Sequence, residues 1–418
     1  MSIHIIGTGL SGLSCAINLL QNKKIYLYES SILYGGRCRS YIEKDFNCTL
    51  DNGNHLIIKA YKNTFDYLKK IGSSKELITN NETNYPFFDI KKKKNWNVKP
   101  YSFILPWWIF FKSSRPLNIS ILDFIKSFKL LFAKKDQTVI ELINKENLIY
   151  ERFWKPFTIA VLNTHPKEAS AKLLWNVIKK TLFFSNNPFK PFTVKKSLND
   201  TLIKPAIRKI IRHGGSIKNN SRLKKIIFKK NLEHEMIFNN YKKKINKNDY
   251  IVLAVTPNVA SKIIPDLKVP KKTNCILNIH FKLDKKLKKI KLPEGSFFIG
   301  VIGGYIDWIF KKKNILSITI SAANHLNNLK NDELSKIVWN DIEKVFNLKN
   351  TSMPKYKIIK EKQATFVQSP DEIFRKPKIQ TNYSNIFLAG DWVDTGLPAT
   401  IEGAITSGYN VSNFIKKF

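Results

Sequence analysis

A glycine-rich turn near the start of the chain, GTGLSG at 7–12, has the spacing of a phosphate-binding turn. It lies between an apolar stretch at 3–6 and an amphipathic stretch at 10–21, so we expect a strand before it and a helix after it. In such a unit the first glycine permits the tight turn, the second lets the backbone approach a pyrophosphate, and the third lets helix and strand pack closely. The free N–H groups of the helix then face the phosphates. The sequence therefore predicts a dinucleotide site whose phosphate contacts are Gly7, Gly9, Leu10, Ser11 and Gly12.

An acidic residue and a pair of glycines follow the next predicted strand, at 25–28. Glu29 can accept hydrogen bonds from both ribose hydroxyls, and its charge would repel a 2′-phosphate, which argues against NADP. In the loop that follows, Gly36 lets the chain pass close to the pyrophosphate, while Arg37 and Arg39 supply positive charge. The GGR stretch at 35–37 is similar to that of flavoproteins of the amine-oxidase and carotenoid-desaturase type, and it favours FAD over NAD.

Three further segments fit the same group of flavoproteins. The segment DNGNH at 51–55 lies where such a chain passes the isoalloxazine ring, and a predicted strand at 386–390 ends beside a carboxylate that could bind the ribityl hydroxyls. A helix predicted at 398–416 would direct its positive end at N1 and C2=O of the flavin, which favours the negative charge of reduced flavin. The expected contacts are Gly53, Asn54, His55, Gly390, Asp391, Pro398, Ala399, Thr400 and Ile401, with Leu223 beside the adenosine half.

The elements that must position these residues come from three separated parts of the chain. Strands are predicted at 222–228, 235–238, 249–255, 275–283, within 297–325 and at 386–390, and helices at 102–111, 119–132 and 332–346. This α/β pattern predicts a discontinuous Rossmann-type FAD-binding domain made of 1–84, 200–270 and 366–418. An inserted α+β substrate domain would comprise 85–199 and 271–365, with a helical, aromatic part.

With these pieces in place, the chain resembles the hydroxysqualene dehydroxylases, also called squalene-associated FAD-dependent desaturases, within the amine-oxidase and phytoene-desaturase superfamily. The resemblance runs along nearly the whole chain, and its most specific segment is 390–404. It is carried by 51–57 (DNGNHLI), 153–157 (FWKPF), 160–166 (AVLNTHP), 169–171 (ASA), 300–304 (GVIGG), 308–310 (WIF), 320–323 (ISAA), 361–366 (EKQATF) and 390–404 (GDWVDTGLPATIEGA). Two positions depart from the family, which usually has Gln in place of Asn54 and Arg in place of Gln363.

The resemblance implies that hydroxysqualene, an allylic C30 alcohol, is reduced to squalene while FADH2 becomes FAD, in a route to hopanoids or other triterpenoids. The leaving hydroxide must be protonated, and the flavin then delivers hydride to the allylic cation. The sequence names no proton donor; Asp394, Glu402 and Asp307 are candidates, each with an ordinary structural role as the alternative. No protein nucleophile and no metal site are expected, and FAD is expected to bind non-covalently.

Aromatic segments are expected to form the path of this hydrophobic substrate. Trp154, Phe157, Trp308 and Phe310 are candidates for the pocket wall, where their π faces could stabilise a cation. The segments 101–111 and 119–132 are apolar and carry flanking lysines, so they either dip into a membrane interface or line the inner pocket. The sequence leaves these two alternatives open.

The charge of the chain, +39 from 71 basic and 32 acidic residues, first suggests nucleic acid as a partner. Only eight of the basic residues are Arg, which leaves 63 Lys, whereas the planar fork of Arg makes it the residue of choice for reading phosphates and bases. We expect no nucleic-acid partner, but attraction to an anionic membrane surface. With no signal peptide, no apolar run long enough to span a membrane and four cysteines without metal spacing, the expected location is the cytoplasm, at the inner face of the cytoplasmic membrane.

Competing functions remain open from the sequence. A carotenoid desaturase of the phytoene type would oxidise a C40 polyene, and a non-enzymatic prenyl carrier of the same fold would bind no flavin. An amine oxidase is disfavoured, because some bind flavin through a cysteine near the C-terminus and this chain has none after Cys275. No second GxGxxG follows, so we expect a separate electron donor.

Overall fold

We describe the protein from a computed structural model, whose described residues are 1–21, 23–101, 106–182, 187–293, 295–349 and 351–418. In these ranges the α-helices, α1 to α11 in chain order, are Leu10–Leu19, Lys62–Ile71, Ile121–Lys126, Val139–Leu142, Lys155–Leu162, Ala171–Leu182, Lys204–Arg212, Pro257–Ile263, Asn331–Phe346, Pro370–Phe374 and Ile401–Ile415. The strands, β1 to β20, are Ser2–Ile6, Lys24–Tyr28, Ser40–Glu43, Cys48–Asp51, Ile57–Ile58, Leu77–Thr79, Tyr85–Asp89, Lys94–Val98, Pro191–Val194, Ser216–Lys218, Leu223–Ile227, Glu235–Phe238, Lys242–Lys244, Tyr250–Leu253, Thr273–Lys282, Phe298–Ile302, Trp308–Lys312, Ile315–Ile320, Tyr356–Phe366 and Ile386–Leu388.

A parallel five-stranded sheet in the order β10-β2-β1-β14-β20 brings together the two ends and the middle of the chain. Alternate side chains of its strands enter two different cores, because successive residues of a strand point to opposite faces. One core lies under α1, α2, α7 and α11, and the other under α8 and the three-stranded sheet β11-β12-β13. Burial of both faces explains why these strands read as unbroken apolar runs, and the Rossmann-type α/β expectation is confirmed.

A second sheet of seven strands, in the order β19-β15-β18-β17-β16-β7-β8, packs one face on α9. Ile309, Ile318 and Ile279 belong to that packed face. The intervening residues of the same strands, among them Trp308 and Thr319, point to the opposite face. That opposite face is one wall of the site described below.

Several strands of these sheets and of a smaller one, among them β7, β8, β9 and β19, escaped sequence reasoning. β7 and β8 lie in the span 85–200 that was expected to be helical, and β19 carries so many lysines that its apolar period is weak. β9, from the same span, pairs with β5 and β6, so a strand of the expected substrate domain joins two strands of the expected FAD domain. The domain division itself stays a prediction.

The two aromatic segments are not the regular helices that their patterns predicted. Residues 102–105 lie outside the described part of the chain, and the rest of the first segment is a short 3₁₀ turn at Trp107–Phe110. In the second segment α3 covers only Ile121–Lys126, and a 3₁₀ stretch, Ser127–Phe132, follows it. Such tightening is common at helix ends, where the last carbonyls lack partners within the helix.

No helix in the described ranges combines the length and the apolar character that crossing a bilayer requires.

Candidate active site

An elongated cavity of about 1170 Å³ runs from the glycine-rich turn to a chamber walled by aromatic rings. A pocket for one small molecule is commonly ~300–1,000 Å³. The cavity therefore has room for a cofactor and a substrate side by side. Its polar end is lined by Gly7, Glu29 and Arg37, and its apolar end by Trp154 and Trp308.

The turn between β1 and α1 is built for close approach. Gly7 has φ +107°, and a Cβ there would lie 2.4 Å from the Ala254 carbonyl oxygen, so only glycine fits. A Cβ on Gly12 would lie 2.2 Å from the Gly7 carbonyl oxygen, so this glycine lets α1 pack against the turn and lies behind the cavity wall. A Cβ on Gly9 would meet nothing within 4 Å, and no side chain caps α1. The first N–H groups of α1, at Leu10 and Ser11 beside the cavity, are therefore open to an anion.

Glu29 lies at the end of β2, buried and facing the same cavity. Its Oε2 accepts hydrogen bonds from the Thr8 N–H at 3.0 Å and the Thr8 hydroxyl at 2.6 Å. Its Oε1 accepts from the Ser31 N–H at 3.0 Å and the Ser30 hydroxyl at 3.2 Å. The two hydroxyl donors can rotate away when a ribose hydroxyl binds, while the two N–H groups keep the carboxylate in place.

Arg37 and Asp391, which the sequence placed at different parts of the cofactor, are paired with each other. Arg37 Nη2 donates to Asp391 Oδ1 at 2.7 Å, and its Nη1 donates to the Ala364 carbonyl at 2.6 Å. The carboxylate of Asp391 raises the pKa of Arg37, so the guanidinium stays charged. Both residues line the cavity, as do Gly36 and Arg39. The pair joins the arginine loop to the segment after β20.

The segment at 52–55 forms the floor between the two ends of the cavity, with Gly53 among its lining residues. The Asn52 side chain donates to the Arg37 carbonyl at 3.1 Å, and Asn54 Nδ2 donates to Thr319 Oγ1 at 3.1 Å. Desolvation, with a smaller contribution from the charge of Arg37, lowers the pKa of His55 to about 4. The His55 ring is therefore neutral at pH 7.

The start of α11 reaches the cavity, with Ala399, Thr400 and Ile401 in its wall together with Gly390. Pro398 and Gly12 are the two predicted cofactor contacts that do not line the cavity; Leu223 does. Thr400 Oγ1 accepts from the Gly403 N–H at 3.1 Å and caps the helix. The positive end of α11 thus faces the middle of the cavity.

A buried glutamine that sequence reasoning missed holds this segment in place. Gln368 Oε1 accepts from the Ala399 N–H at 2.8 Å, and its Nε2 donates to the Leu162 carbonyl at 2.5 Å. The Gln368 N–H donates to Thr164 Oγ1 at 3.0 Å. Its only sequence signal was its position just after the EKQATF segment.

The substrate candidates from the sequence all line the apolar end of the cavity: Trp154, Phe157, Trp308 and Phe310. Trp154 is oriented by its indole N–H, which donates to the Ser127 hydroxyl at 2.8 Å. Sequence reasoning missed several further wall residues, because only folding brings their segments here: Tyr61, Tyr85, Phe87, Trp108, Phe124, Phe153 and Trp175.

Segments that carried the family resemblance meet at the boundary between the two ends of the cavity. Asn163, in a left-handed conformation after α5, donates from Nδ2 to Thr365 Oγ1 at 2.9 Å. Its Oδ1 accepts from the Ala322 N–H at 2.6 Å. Gln363, one of the two departures from the family pattern, is exposed and does not line the cavity. Its difference from the family's usual Arg therefore does not alter the wall.

The three carboxyl groups considered as proton donors have different surroundings, and none of them lines the cavity directly. Glu402 is buried and accepts from the Thr64 N–H and hydroxyl at 2.9 and 2.6 Å and from the Asn63 N–H at 3.1 Å. Asp394 is exposed and accepts from the Gly396 N–H at 3.1 Å. Asp307 Oδ2 accepts from the N–H of Ser321, a wall residue, at 2.6 Å.

The donor set fits a flavin dinucleotide. An uncapped helix start with open space beside Gly9, a carboxylate at the end of β2 and a second helix start at Thr400 all border the same cavity. They suit a pyrophosphate, the adenosine ribose and the N1 side of an isoalloxazine ring, respectively.

Comparison with known proteins agrees with this geometry. The family described as flavin containing amine oxidoreductase matches residues 10–415. The hydroxysqualene dehydroxylase of Zymomonas mobilis is 34% identical over 411 residues, covering 98% of each chain. That of Sinorhizobium fredii is 32% identical over 409 residues, covering 97% of this chain and 96% of the relative. A 15-cis-phytoene desaturase of Synechococcus elongatus is 21% identical, covering 98% of this chain and 94% of its own.

Solved structures share the fold at much lower identity. Cyclohexylamine oxidase from Brevibacterium oxydans superposes with a TM-score of 0.71 at 13% identity, covering 100% of this chain and 98% of its own. Putrescine oxidase bound to putrescine gives 0.72 at 12% identity, with 100% and 99% covered. The chain is thus a flavin-dependent oxidoreductase that belongs to the flavin-containing amine oxidoreductases and, among them, to the hydroxysqualene dehydroxylase family.

Proposed function

We propose that this enzyme binds FAD non-covalently and reduces hydroxysqualene to squalene, in a route to hopanoids or other triterpenoids. The observation that carries the proposal is the single cavity that joins a dinucleotide end to an aromatic chamber, in a chain similar over its full length to hydroxysqualene dehydroxylases. Bound and reduced, the flavin would supply a hydride to the carbon that loses the hydroxyl.

The chain's own residues would hold FAD along the cavity. The N–H groups at the start of α1 would bind the pyrophosphate, Glu29 the adenosine ribose, and the Arg37–Asp391 pair would lie beside the ribityl chain. Cys38 also lines the cavity, but burial raises the pKa of its thiol, which keeps it protonated and a poor nucleophile. This supports non-covalent binding.

The aromatic chamber would hold the hydrocarbon and keep water from the reacting carbon. Its walls place the rings of Trp154, Phe157 and Trp308 around one space, where π faces can stabilise an allylic cation without offering it a nucleophile. The reaction also requires a proton for the leaving hydroxyl.

We also propose that the two aromatic segments dock on an anionic membrane, at the cytoplasmic face where the substrate would dissolve. Trp108 packs edge-on against Phe124 with ring centroids 5.3 Å apart, which joins the segments into one surface. That surface, called here the apolar rim, exposes Trp107, Phe110, Phe111, Leu122, Ile125, Phe128, Leu131 and Phe132. Phe128 and Leu131 also line the cavity, so the rim borders its opening.

Charge on the apolar rim fits a lipid headgroup layer better than a protein partner. Exposed lysines at 112, 126, 129, 134 and 135 surround the aromatic side chains. Lysines near an anionic bilayer contribute about 1 kcal/mol each to binding. The sequence left open whether these segments face a membrane or the core, and the exposed rings favour the membrane.

The test of function is anaerobic turnover. Purified protein whose flavin has been reduced with dithionite is mixed with hydroxysqualene, and products are separated by gas chromatography. We expect one squalene formed for each flavin reoxidised. Gly7→Val, which places side-chain atoms on the Ala254 carbonyl, should fold as judged by circular dichroism but bind no flavin and form no squalene.

Other results would assign a different function. Oxidation of phytoene by the oxidised protein, without squalene formation, would mean a carotenoid desaturase. A colourless protein that binds isoprenoids but no flavin would mean a carrier.

Squalene formation with the reduced protein alone, and no stimulation by NADH or NADPH, would support the proposed need for a separate electron donor.

A further inference from the structure

A short turn between β16 and β17 places Asp307 directly behind the wall of the aromatic chamber. Its backbone is held on both sides, because its carbonyl accepts from the Val301 N–H at 2.8 Å and its N–H donates to the Thr319 carbonyl at 3.2 Å. Its carboxyl Oδ2 accepts from the Ser321 N–H at 2.6 Å, and the Ser321 hydroxyl lies beside the same carboxyl. Asp307 thus contacts Ser321, a wall residue, through both the N–H and the hydroxyl of that serine.

Ser321 belongs to a group of polar side chains in a chamber whose wall is mainly aromatic and aliphatic. Asn163, Thr319 and Ser321, called here the polar strip, all line the cavity. Thr319 Oγ1 donates to Asn278 Oδ1 at 2.9 Å and accepts from Asn54, so the strip is anchored to the floor at 52–55. The polar strip therefore lies between the polar end of the cavity, which would hold the cofactor, and its apolar end.

The charge state of Asp307 follows from what faces it. Desolvation raises its pKa to about 7, while the Ser321 hydrogen bonds and the charge of Lys155, on α5, act in the opposite direction. A carboxyl group with such a pKa carries a proton for much of the time near neutral pH, as a general acid must.

The other carboxyl groups near the cavity are engaged elsewhere. Glu402 accepts three hydrogen bonds at the start of α2, and Asp394 points to solvent. Glu361 lines the cavity, but it accepts from Asn52 at 3.3 Å and serves as a counter-charge to Arg37. Asp307 is the carboxyl group that lies behind a hydroxyl of the chamber wall.

We propose that the polar strip binds the hydroxyl of the allylic alcohol and that Asp307 supplies, through the Ser321 hydroxyl, the proton with which that hydroxyl leaves as water. This inference rests on the proposed function. The Ser321 O–H gives its proton to the substrate oxygen and takes one from the Asp307 carboxyl. The C–O bond breaks with its electron pair on oxygen, and the carbon receives the hydride of the reduced flavin. Asp307 is then reprotonated from solvent.

Asp307 acts through Ser321, so it is a positioning and proton-supplying residue rather than one that touches the substrate. Its effect must therefore be separated from a structural effect of the turn. Asp89 offers a matched control. It is a buried aspartate at the end of β7 in the same sheet, it accepts from the Lys91 and Lys92 N–H groups at 3.0 Å each, and it does not line the cavity.

The experiment measures single-turnover flavin reoxidation and squalene formation between pH 5.5 and 9 for the wild type, Asp307→Asn, Asp307→Glu, Ser321→Ala and Asp89→Asn. The wild-type rate should fall tenfold per pH unit above about pH 7. Asp307→Asn should lose about 10²–10⁴-fold in rate and all of this pH dependence, as removal of a general acid does. Asp307→Glu should recover part of both, and Asp89→Asn should keep the wild-type pH profile.

Binding measurements separate the role of the polar strip in holding the substrate hydroxyl from the role of Asp307 in supplying the proton. Flavin content and the affinity for squalene, followed by quenching of tryptophan fluorescence, should be unchanged in Asp307→Asn. Ser321→Ala should weaken hydroxysqualene binding severalfold without weakening squalene binding. A wild-type rate and pH profile in Asp307→Asn would overturn this inference and leave the proposed function intact. A wild-type protein that forms no squalene overturns both.

Discussion

At the scale of single residues, Glu402 illustrates how a motif residue can be structural. It belongs to the most specific segment of the family resemblance, and its side chain is buried. Among the described residues, its hydrogen-bond donors Asn63 and Thr64 are in the first turn of α2, where their N–H groups have no acceptor within the helix. The carboxylate thus caps α2 from the first turn of α11 and ties the two helices together.

Replacing Glu402 should therefore cost stability rather than chemistry. In Glu402→Ala the N–H groups of Asn63 and Thr64 lose their acceptor, which should lower the free energy of unfolding by about 1–3 kcal/mol. Denaturant titration measures this loss, and Glu402→Gln, which keeps one acceptor oxygen, should lose less. The single-turnover rate per bound flavin should stay within about twofold of wild type. A large loss of rate with unchanged stability would return Glu402 to the list of proton donors.

At the scale of elements, the crossing of α1 and α11 decides whether the phosphate turn has its shape. A Cβ on Gly408 of α11 would lie 2.0 Å from the Ser11 carbonyl oxygen, in the first turn of α1. The Ser14 hydroxyl donates to the Ile405 carbonyl at 2.9 Å across the same crossing. The two helices that aim their positive ends at the cavity are thus packed backbone to backbone.

Gly408→Ala should push α1 and α11 apart where they cross. The added methyl group raises helix propensity by about 1 kcal/mol, but the clash with a backbone carbonyl costs about 1–3 kcal/mol or more. We expect a lower midpoint of thermal unfolding and a reduced flavin content after purification. Asn413→Ala, at an exposed position of the same helix, is the matched control and should keep both values. Wild-type flavin content in Gly408→Ala would mean that the crossing does not set the phosphate turn.

At the scale of the whole molecule, the exposed rings of the apolar rim lie beside exposed lysines and beside residues that line the cavity. Phe128 and Leu131 of the apolar rim are exposed and also line the cavity, and exposed lysines at 112, 126 and 129 lie among the rim residues. We therefore propose that this exposed apolar surface, on an otherwise strongly charged protein, is an interaction site. A substrate dissolved in a bilayer could then enter the cavity without crossing water.

Membrane binding should depend on the apolar rim. Phe132, 82% exposed, is the best position to change. Phe132→Glu combined with Phe111→Glu should weaken co-sedimentation with phosphatidylglycerol vesicles at least tenfold, and rising salt should weaken wild-type binding. Turnover of hydroxysqualene delivered in detergent should persist. Phe374→Glu, at a position 91% exposed on α10, is the matched control and should bind as wild type does. Equal binding by both variants would place the membrane contact elsewhere.

The sequence by itself predicted the strands and the glycine-rich turn that surround the polar end of the cavity. The glycine spacing at 7–12, Glu29 and the apolar runs at 25–28, 249–255 and 386–390 are local patterns, and each predicted an element that the structure contains. They could be read because strand and helix periods, and the steric demand for glycine at a tight turn, act over a few neighbouring residues. The resemblance to hydroxysqualene dehydroxylases followed from the same kind of short segments.

Only the tertiary structure decided which side chains meet. Gln368 contacts Leu162 and Ala399, and Asp307 contacts Ser321. These partners are separated in the sequence by more residues than a helix or strand pattern spans. The β7–β8 hairpin was also missed. β8 alternates over only five residues, and β7 shows no alternation because Phe87 and its neighbours are buried against the chamber. Burial and long-range hydrogen bonding, which depend on the whole fold, distinguish the three carboxyl candidates. Glu402 caps a helix, Asp394 is exposed, and Asp307 is the buried carboxyl group behind the chamber wall that we propose as the proton source.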